Sequence, residues 1–109
     1  KMLKAKFFVE SSGSIIGFEI CGHSGYSERG SDIVCAAVSS AAYMTVNTMA
    51  DVIGASVEAS VNDEVGYMRA EIKQKDVALC SDILKGFKSH LLMLEQIYPK
   101  NVNVSYVEV

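Results

Sequence analysis

Leu3-Lys4-Ala5-Lys6-Phe7-Phe8-Val9-Glu10 alternates, with Leu3, Ala5, Phe7 and Val9 on one side and Lys4, Lys6, Phe8 and Glu10 on the other. That period of two belongs to a half-buried strand. After the turn residues Ser11-Ser12-Gly13-Ser14 the alternation resumes from Ile15 to Cys21, with Ile16, Phe18 and Ile20 on one face, which predicts a hairpin. The pattern then stops. Gly22-His23-Ser24-Gly25-Tyr26-Ser27-Glu28-Arg29-Gly30 carries three glycines and no clear period, and reads as a loop.

A change of period follows. Ser31 or Asp32 offers an N-cap, and Val34, Val38, Ala41, Thr45, Thr48 and Val52 recur at spacings of four and three, predicting one long helix to about Ile53. Gly54 is the expected left-handed residue after its end. Val57, Ala59 and Val61 predict a third strand, Asn62-Asp63-Glu64 a turn, and Val65 to Lys73 a fourth strand. Asp76 is the expected cap of a second helix with Cys80, Leu84, Phe87, Leu91, Leu94 and Tyr98 along its apolar face. Pro99 ends it, and Val102, Val104 and Tyr106 alternate in a last strand. The expectation is a two-layer α+β domain over 1-109, in the order β-β-α-β-β-α-β. It has a mixed five-stranded sheet with both helices on one face.

Composition narrows the function. The chain has 109 residues, 50% of them hydrophobic, with one Pro and eight Gly, which suits one packed core and not a disordered or fibrous chain. A formal charge of −3 argues against a direct nucleic-acid binder while suiting a basic protein as partner or substrate. Leu91-Leu92-Met93-Leu94 is far too short for a membrane span, and no membrane partner is expected. Met2 runs straight into Leu3-Lys4-Ala5-Lys6, which predicts no signal segment, and Lys1 is set aside from the fold reading. Three Cys, an odd count in a chain large enough to build its own core, predict reduced thiols and a cytosolic setting.

The chemistry concentrates between Gly22 and Ser39. His23 follows a strand, and Cys35 falls twelve positions later in the first turn of the long helix. A helix N-terminus favours a thiolate, a neighbouring imidazole favours it further, and together they are the minimum equipment for nucleophilic acyl transfer. The plainer alternative is a Cys packed beside Val34 and a solvated loop His, in a non-catalytic binding module.

Gly22-His23-Ser24-Gly25 followed by Gly30-Ser31-Asp32-Ile33-Val34-Cys35-Ala36-Ala37-Val38-Ser39 resembles the signature of the ribosomal-processing cysteine protease (Prp) family. Length and element order are compatible along essentially the whole chain. The resemblance implies a bacterial cytoplasmic endopeptidase without a cofactor. Such an enzyme removes a short N-terminal extension from a large-subunit ribosomal protein, cuts after an aromatic residue and works as a homodimer. It assigns Cys35 as nucleophile and His23 as general base. Asp32 and Ser39 stand in supporting positions, with Gly22 beside them, Asp32 serving at least as a helix cap. Ser24, Gly25, Tyr26 and Gly30 belong to a polar, glycine-hinged substrate lid.

Elsewhere the residues have ordinary explanations. Cys21, His23 and Cys35 fit no common zinc spacing, so no metal is expected, and the glycines lack the spacing of a phosphate cradle. Cys80 is expected in the core and His90 in solvent. Met44, Met49, Met68 and Met93 are expected in core or subunit packing.

Overall fold

The N-terminal alternation folds as β1 (Leu3–Val9) paired antiparallel with β2 (Ile15–Cys21), Phe7 opposite Phe18. A computed structural model describes residues 2–28 and 32–109. In it α1 (Ile33–Asn47) continues into a π-helical turn, Thr48–Ile53, and leads to the hairpin β3 (Val57–Asn62) and β4 (Tyr67–Ile72). A 3-10 turn at Gln74–Asp76 precedes α2 (Ser81–Ile97), and β5 (Val102–Glu108) ends the series. The sheet runs β3-β4-β2-β1-β5. The β1–β5 pair is parallel and the other pairs are antiparallel, so the expected mixed α+β architecture stands.

The core forms where the two periods meet. Leu3, Ala5 and Phe7 of β1 and Phe18 and Ile20 of β2 face the helices, which contribute Val34, Val38 and Ala42 from α1 and Leu84, Phe87 and Leu91 from α2. Phe87 sits edge-on to Phe18 with ring centroids 4.7 Å apart and to Phe7 at 5.6 Å, the tilted arrangement that aromatic quadrupoles favour. Cys80 is fully buried here, as its position on the apolar face of the second helix requires. Burial and the nearby Asp76 carboxylate push its thiol pKa up.

Several expectations are corrected by tertiary context. A register shift between Phe8 and Val9 makes Ile15 the buried residue of the early β2 and leaves Ile16 half-buried. Phe8, grouped by alternation with the lysines, is buried on the opposite sheet face under the Arg69 guanidinium, 4.5 Å from its ring centroid. The long helix keeps its stripe through Thr45 and then changes phase. Thr45 and Thr48 hydroxyls donate to the carbonyls of Ala41 and Met44, and the backbone widens into the π turn, so Met49 is buried while Val52 is 79% exposed. Gly54 does close the helix, at φ +80°.

Asp76 does not cap α2. It is buried, its carboxylate accepting the Ser56 N–H at 2.9 Å and the Lys75 ammonium at 3.0 Å, which hold its pKa below the usual carboxylate range. The residue at the α2 N-cap is Cys80, with no side-chain cap bond. Of the four methionines expected in core or subunit packing, Met49 and Met68 join the core, while Met44 and Met93 are exposed. The segment Ile33–Ile53 has 21 residues and a mean hydropathy of 1.4, so by length and composition it does reach a membrane span, against the expectation from apolar runs. Its Val34–Val38–Ala42–Thr45–Met49 stripe is nevertheless packed into the core beside the sheet.

The correction with the greatest consequence concerns β3. It is an edge strand beyond the cover of the helices, and Ala59 and Val61 on its predicted apolar face are exposed. The gap this leaves between α1 and the β3–β4 hairpin is where the site lies.

Candidate active site

A cleft of about 650 Å³ opens in that gap. Its α1 wall is Cys35, Ala36, Ser39 and Tyr43, and its hairpin wall includes Val61, Gly66 and Tyr67. His23 and Gly22 line the end where β2 runs out. His23 and Cys35, distant in the sequence, therefore share one cavity. The Ser24 N–H donates to Cys35 Sγ at 3.2 Å, which ties the residue after His23 to the sulfur.

Asp32 organises this corner. Oδ1 accepts the N–H groups of Val34 at 2.9 Å and Cys35 at 3.0 Å, a helix N-cap that the sequence anticipated. Oδ2 reaches in the other direction, accepting the Ser24 hydroxyl at 2.5 Å and the N–H groups of Tyr26 at 3.2 Å and Ser27 at 3.4 Å. Burial works against the charged carboxylate, but the Ser24 hydroxyl and the N–H groups of Cys35, Ser27 and Val34 outweigh it and lower its pKa. Asp32 thus joins helix to loop. Among the described residues its hydrogen-bond donors all come from the helix start and this loop, and His23 is not one of them.

The residues expected in a lid divide into different roles. Ser24 is fully buried and anchored: its hydroxyl to Asp32, its N–H to Cys35, and its carbonyl to the Asn101 side-chain amide at 2.9 Å. Gly25, Ser27 and Glu28 line the cleft. Tyr26 turns away, its ring edge-on to Tyr98 at 5.4 Å and not among the residues lining the cleft. Gly30 and the alternative cap Ser31 lie outside the described residues. Ser39 stands one turn beyond Cys35, exposed on the cleft wall, with no side-chain hydrogen bond among the described residues.

A family model described as cysteine protease Prp matches residues 2–103. The chain belongs to the cysteine protease Prp family. The ribosomal processing cysteine protease Prp of Bacillus subtilis (strain 168) is 26% identical over 112 residues, covering 95% of this chain and 96% of the relative. The Prp fold is shared with Staphylococcus aureus Prp, solved with a covalently linked product peptide, at TM-score 0.90 and 23% identity over 97% of this chain and all of that one. SMU.848 from Streptococcus mutans superimposes at TM-score 0.86 with 26% identity, over all of this chain and 97% of that one.

Two participants in this Prp site had little or no signal in the sequence. Asn101 follows Pro99 in what reads as a turn, and only the approach of the β5 start to the loop reveals its bond. Gly66 was legible merely as part of a fourth strand. It adopts φ +63°, its carbonyl accepts the Gly22 N–H at 2.9 Å, and a Cβ built there meets the Gly22 carbonyl at 2.7 Å and His23 Cε1 at 2.9 Å. The imidazole occupies space that only glycine vacates. Gly66→Ala should therefore displace His23 and lower kcat/KM about 100-fold, with about 1–2 kcal/mol of destabilisation from the left-handed backbone. Cleavage kinetics beside thermal melts check it, and unchanged kinetics would show that the imidazole does not depend on that contact.

Proposed function

We propose that this protease removes the N-terminal extension of a large-subunit ribosomal protein, with Cys35 as nucleophile and His23 as general base and acid. The single observation that carries the assignment is the shared cleft in which both residues lie, with a backbone donor already on Cys35 Sγ. The ribosomal substrate follows the ribosomal processing activity in the name of the Bacillus subtilis relative. The chain's net charge of −3 suits a basic substrate.

In this scheme His23 takes the thiol proton, and the Cys35 thiolate attacks the scissile carbonyl carbon. The carbonyl electron pair moves to oxygen. When the tetrahedral adduct collapses, the C–N bond breaks and imidazolium gives its proton to the leaving amine. Water, deprotonated by the now neutral His23, adds to the thioester, and Cys35 leaves as thiolate. Ser39 and the open α1–β3 gap border the path along which an extended peptide lies. Further parts of the proposal are a homodimer in the bacterial cytoplasm that contacts no nucleic acid directly, with sedimentation to test the dimer.

Incubation with the N-terminally extended ribosomal protein of the same organism, read by intact mass, tests the function. The expected result is one new N-terminus after an aromatic residue, and an unprocessed substrate would overturn it. Alkylation at neutral pH gives a second prediction. Iodoacetamide should modify Cys35 faster than Cys21 although Cys21 is the more exposed, while the buried Cys80 stays unmodified in the folded chain. Peptide mass mapping over time checks it. Cys21 reacting first would indicate that access alone governs the thiols.

A further inference from the structure

The start of α1 is the expected place for the oxyanion of an acyl-transfer reaction, because a helix N-terminus presents unpaired N–H groups. Here the N–H groups nearest Cys35 are already engaged. The Val34 and Cys35 N–H groups donate to Asp32 Oδ1, and the Ala36 N–H donates to the Asp32 carbonyl at 3.1 Å. Directing them at a substrate would uncap the helix and release the carboxylate that anchors the loop. The N–H groups directed at the reaction centre come from elsewhere.

Ser24 supplies the first, at 3.2 Å from Cys35 Sγ. The second follows from peptide geometry. No peptide bond among the described residues is cis, and in a trans peptide the carbonyl and the following N–H point in opposite directions. Asn101 Nδ2 draws the Ser24 carbonyl to one side, so the Gly25 N–H points to the other. Gly25 lines the cleft at φ +72°, and no acceptor among the described residues takes its N–H. Asn101 is itself fixed at both ends of its backbone, its N–H on the Tyr98 carbonyl at 3.0 Å and its carbonyl accepting the Leu3 N–H at 2.9 Å.

We propose that the Ser24 and Gly25 backbone N–H groups, and not the α1 N-terminus, bind the oxyanion, and that Asn101 is the positioning residue that aims the Gly25 N–H. The inference rests on Cys35 being the nucleophile. As the C–S bond forms, negative charge leaves sulfur and appears on the former carbonyl oxygen. The Ser24 donor that stabilised the thiolate is then beside the new anion, and Gly25 adds a second bond. On collapse the electron pair returns to the carbonyl, the C–N bond breaks and the amine takes its proton from His23. Asp32 holds the same loop through the Ser24 hydroxyl, so Ser24 is held at its side chain by Asp32 and at its carbonyl by Asn101.

A peptide aldehyde matching the sequence before the cleavage site tests this, since its adduct with Cys35 carries the oxyanion-like oxygen. In the wild-type chain, the aldehyde should shift the Ser24 and Gly25 amide protons downfield by NMR and leave those of Val34 and Cys35 on Asp32. Downfield shifts confined to Val34 and Cys35 would overturn the proposal.

Asn101→Ala and the near-isosteric Asn101→Asp, which lacks the donor, should lower kcat about 10- to 100-fold with KM changed less than about threefold. Aldehyde affinity should fall by the same factor. Iodoacetamide, whose reaction forms no oxyanion, should still alkylate Cys35 within about threefold of the wild-type rate. Unchanged aldehyde affinity in a folded Asn101 variant would overturn the positioning role, and if neither variant folds the wild-type NMR pattern decides. An aldehyde that never adds to Cys35 would instead overturn the nucleophile assignment, a result distinct from failure of the donors.

Discussion

Cys35→Ser should reduce cleavage of the extended substrate by about 10⁴-fold or more while leaving the fold in place. Ser is nearly isosteric, and its oxygen still accepts the Ser24 N–H that now reaches Sγ. What is lost is nucleophilicity, because an alkoxide is far harder to form than a thiolate with imidazole as base. His23→Ala should fall by a similar factor, since the same side chain removes the thiol proton and returns it to the leaving amine. The double variant should be little worse than either single one, because residues that act as a unit are not additive. Intact-mass time courses supply the rates and thermal melts the control. Wild-type cleavage by Cys35→Ser would remove Cys35 from the chemistry and favour a packed thiol in its place.

Asp32→Asn should cost both stability and activity, although the sequence alone predicts a mild effect because Asn caps a helix about as well as Asp. The structure changes that expectation. Both carboxylate oxygens face donors: Val34 and Cys35 N–H on one, and the Ser24 hydroxyl with Tyr26 and Ser27 N–H on the other. An amide places an NH₂ against one of these sets. The Ser24 hydroxyl can rotate to accept, but the backbone donors cannot. The expected loss is about 1–3 kcal/mol, with cleavage slowed about 10- to 100-fold because Ser24 loses an anchor. Denaturant melts and kinetics on the same preparation separate the two effects. Full activity would restrict Asp32 to helix capping.

The same carboxylate sets a pH dependence. Its folded pKa is lowered, so the folded state binds the proton less tightly than the unfolded chain does. Its contribution to stability is complete above the ordinary Asp range near about pH 4 and is lost as pH falls through the lowered folded value. Thermal melts between neutral pH and pH 3 should therefore show a steeper acid loss for the wild-type chain than for Asp32→Asn. Asp76, also lowered, remains in both and does not contribute to the difference.

The amino-acid sequence by itself determined the elements of this protein, because each rests on a short-range period. Leu3-Ala5-Phe7 can bury one face only as a strand, and Leu84, Phe87, Leu91 and Leu94 can do so only as a helix. The Gly-His loop and the Asp-Ile-Val-Cys helix start were legible as a motif, and the Asp32 cap follows from local stereochemistry. Long-range proximity was not legible. Whether β3 would be covered depends on where two helices come to rest across the sheet, and the cleft exists because β3 is left bare at the edge. Gly66 earns its role only when its turn meets His23, and Asn101 only when the start of β5 reaches Ser24, 77 positions away. Such contacts join segments whose separate sequences carry no periodic record of each other. Tertiary packing alone decided which donors remain available around Cys35.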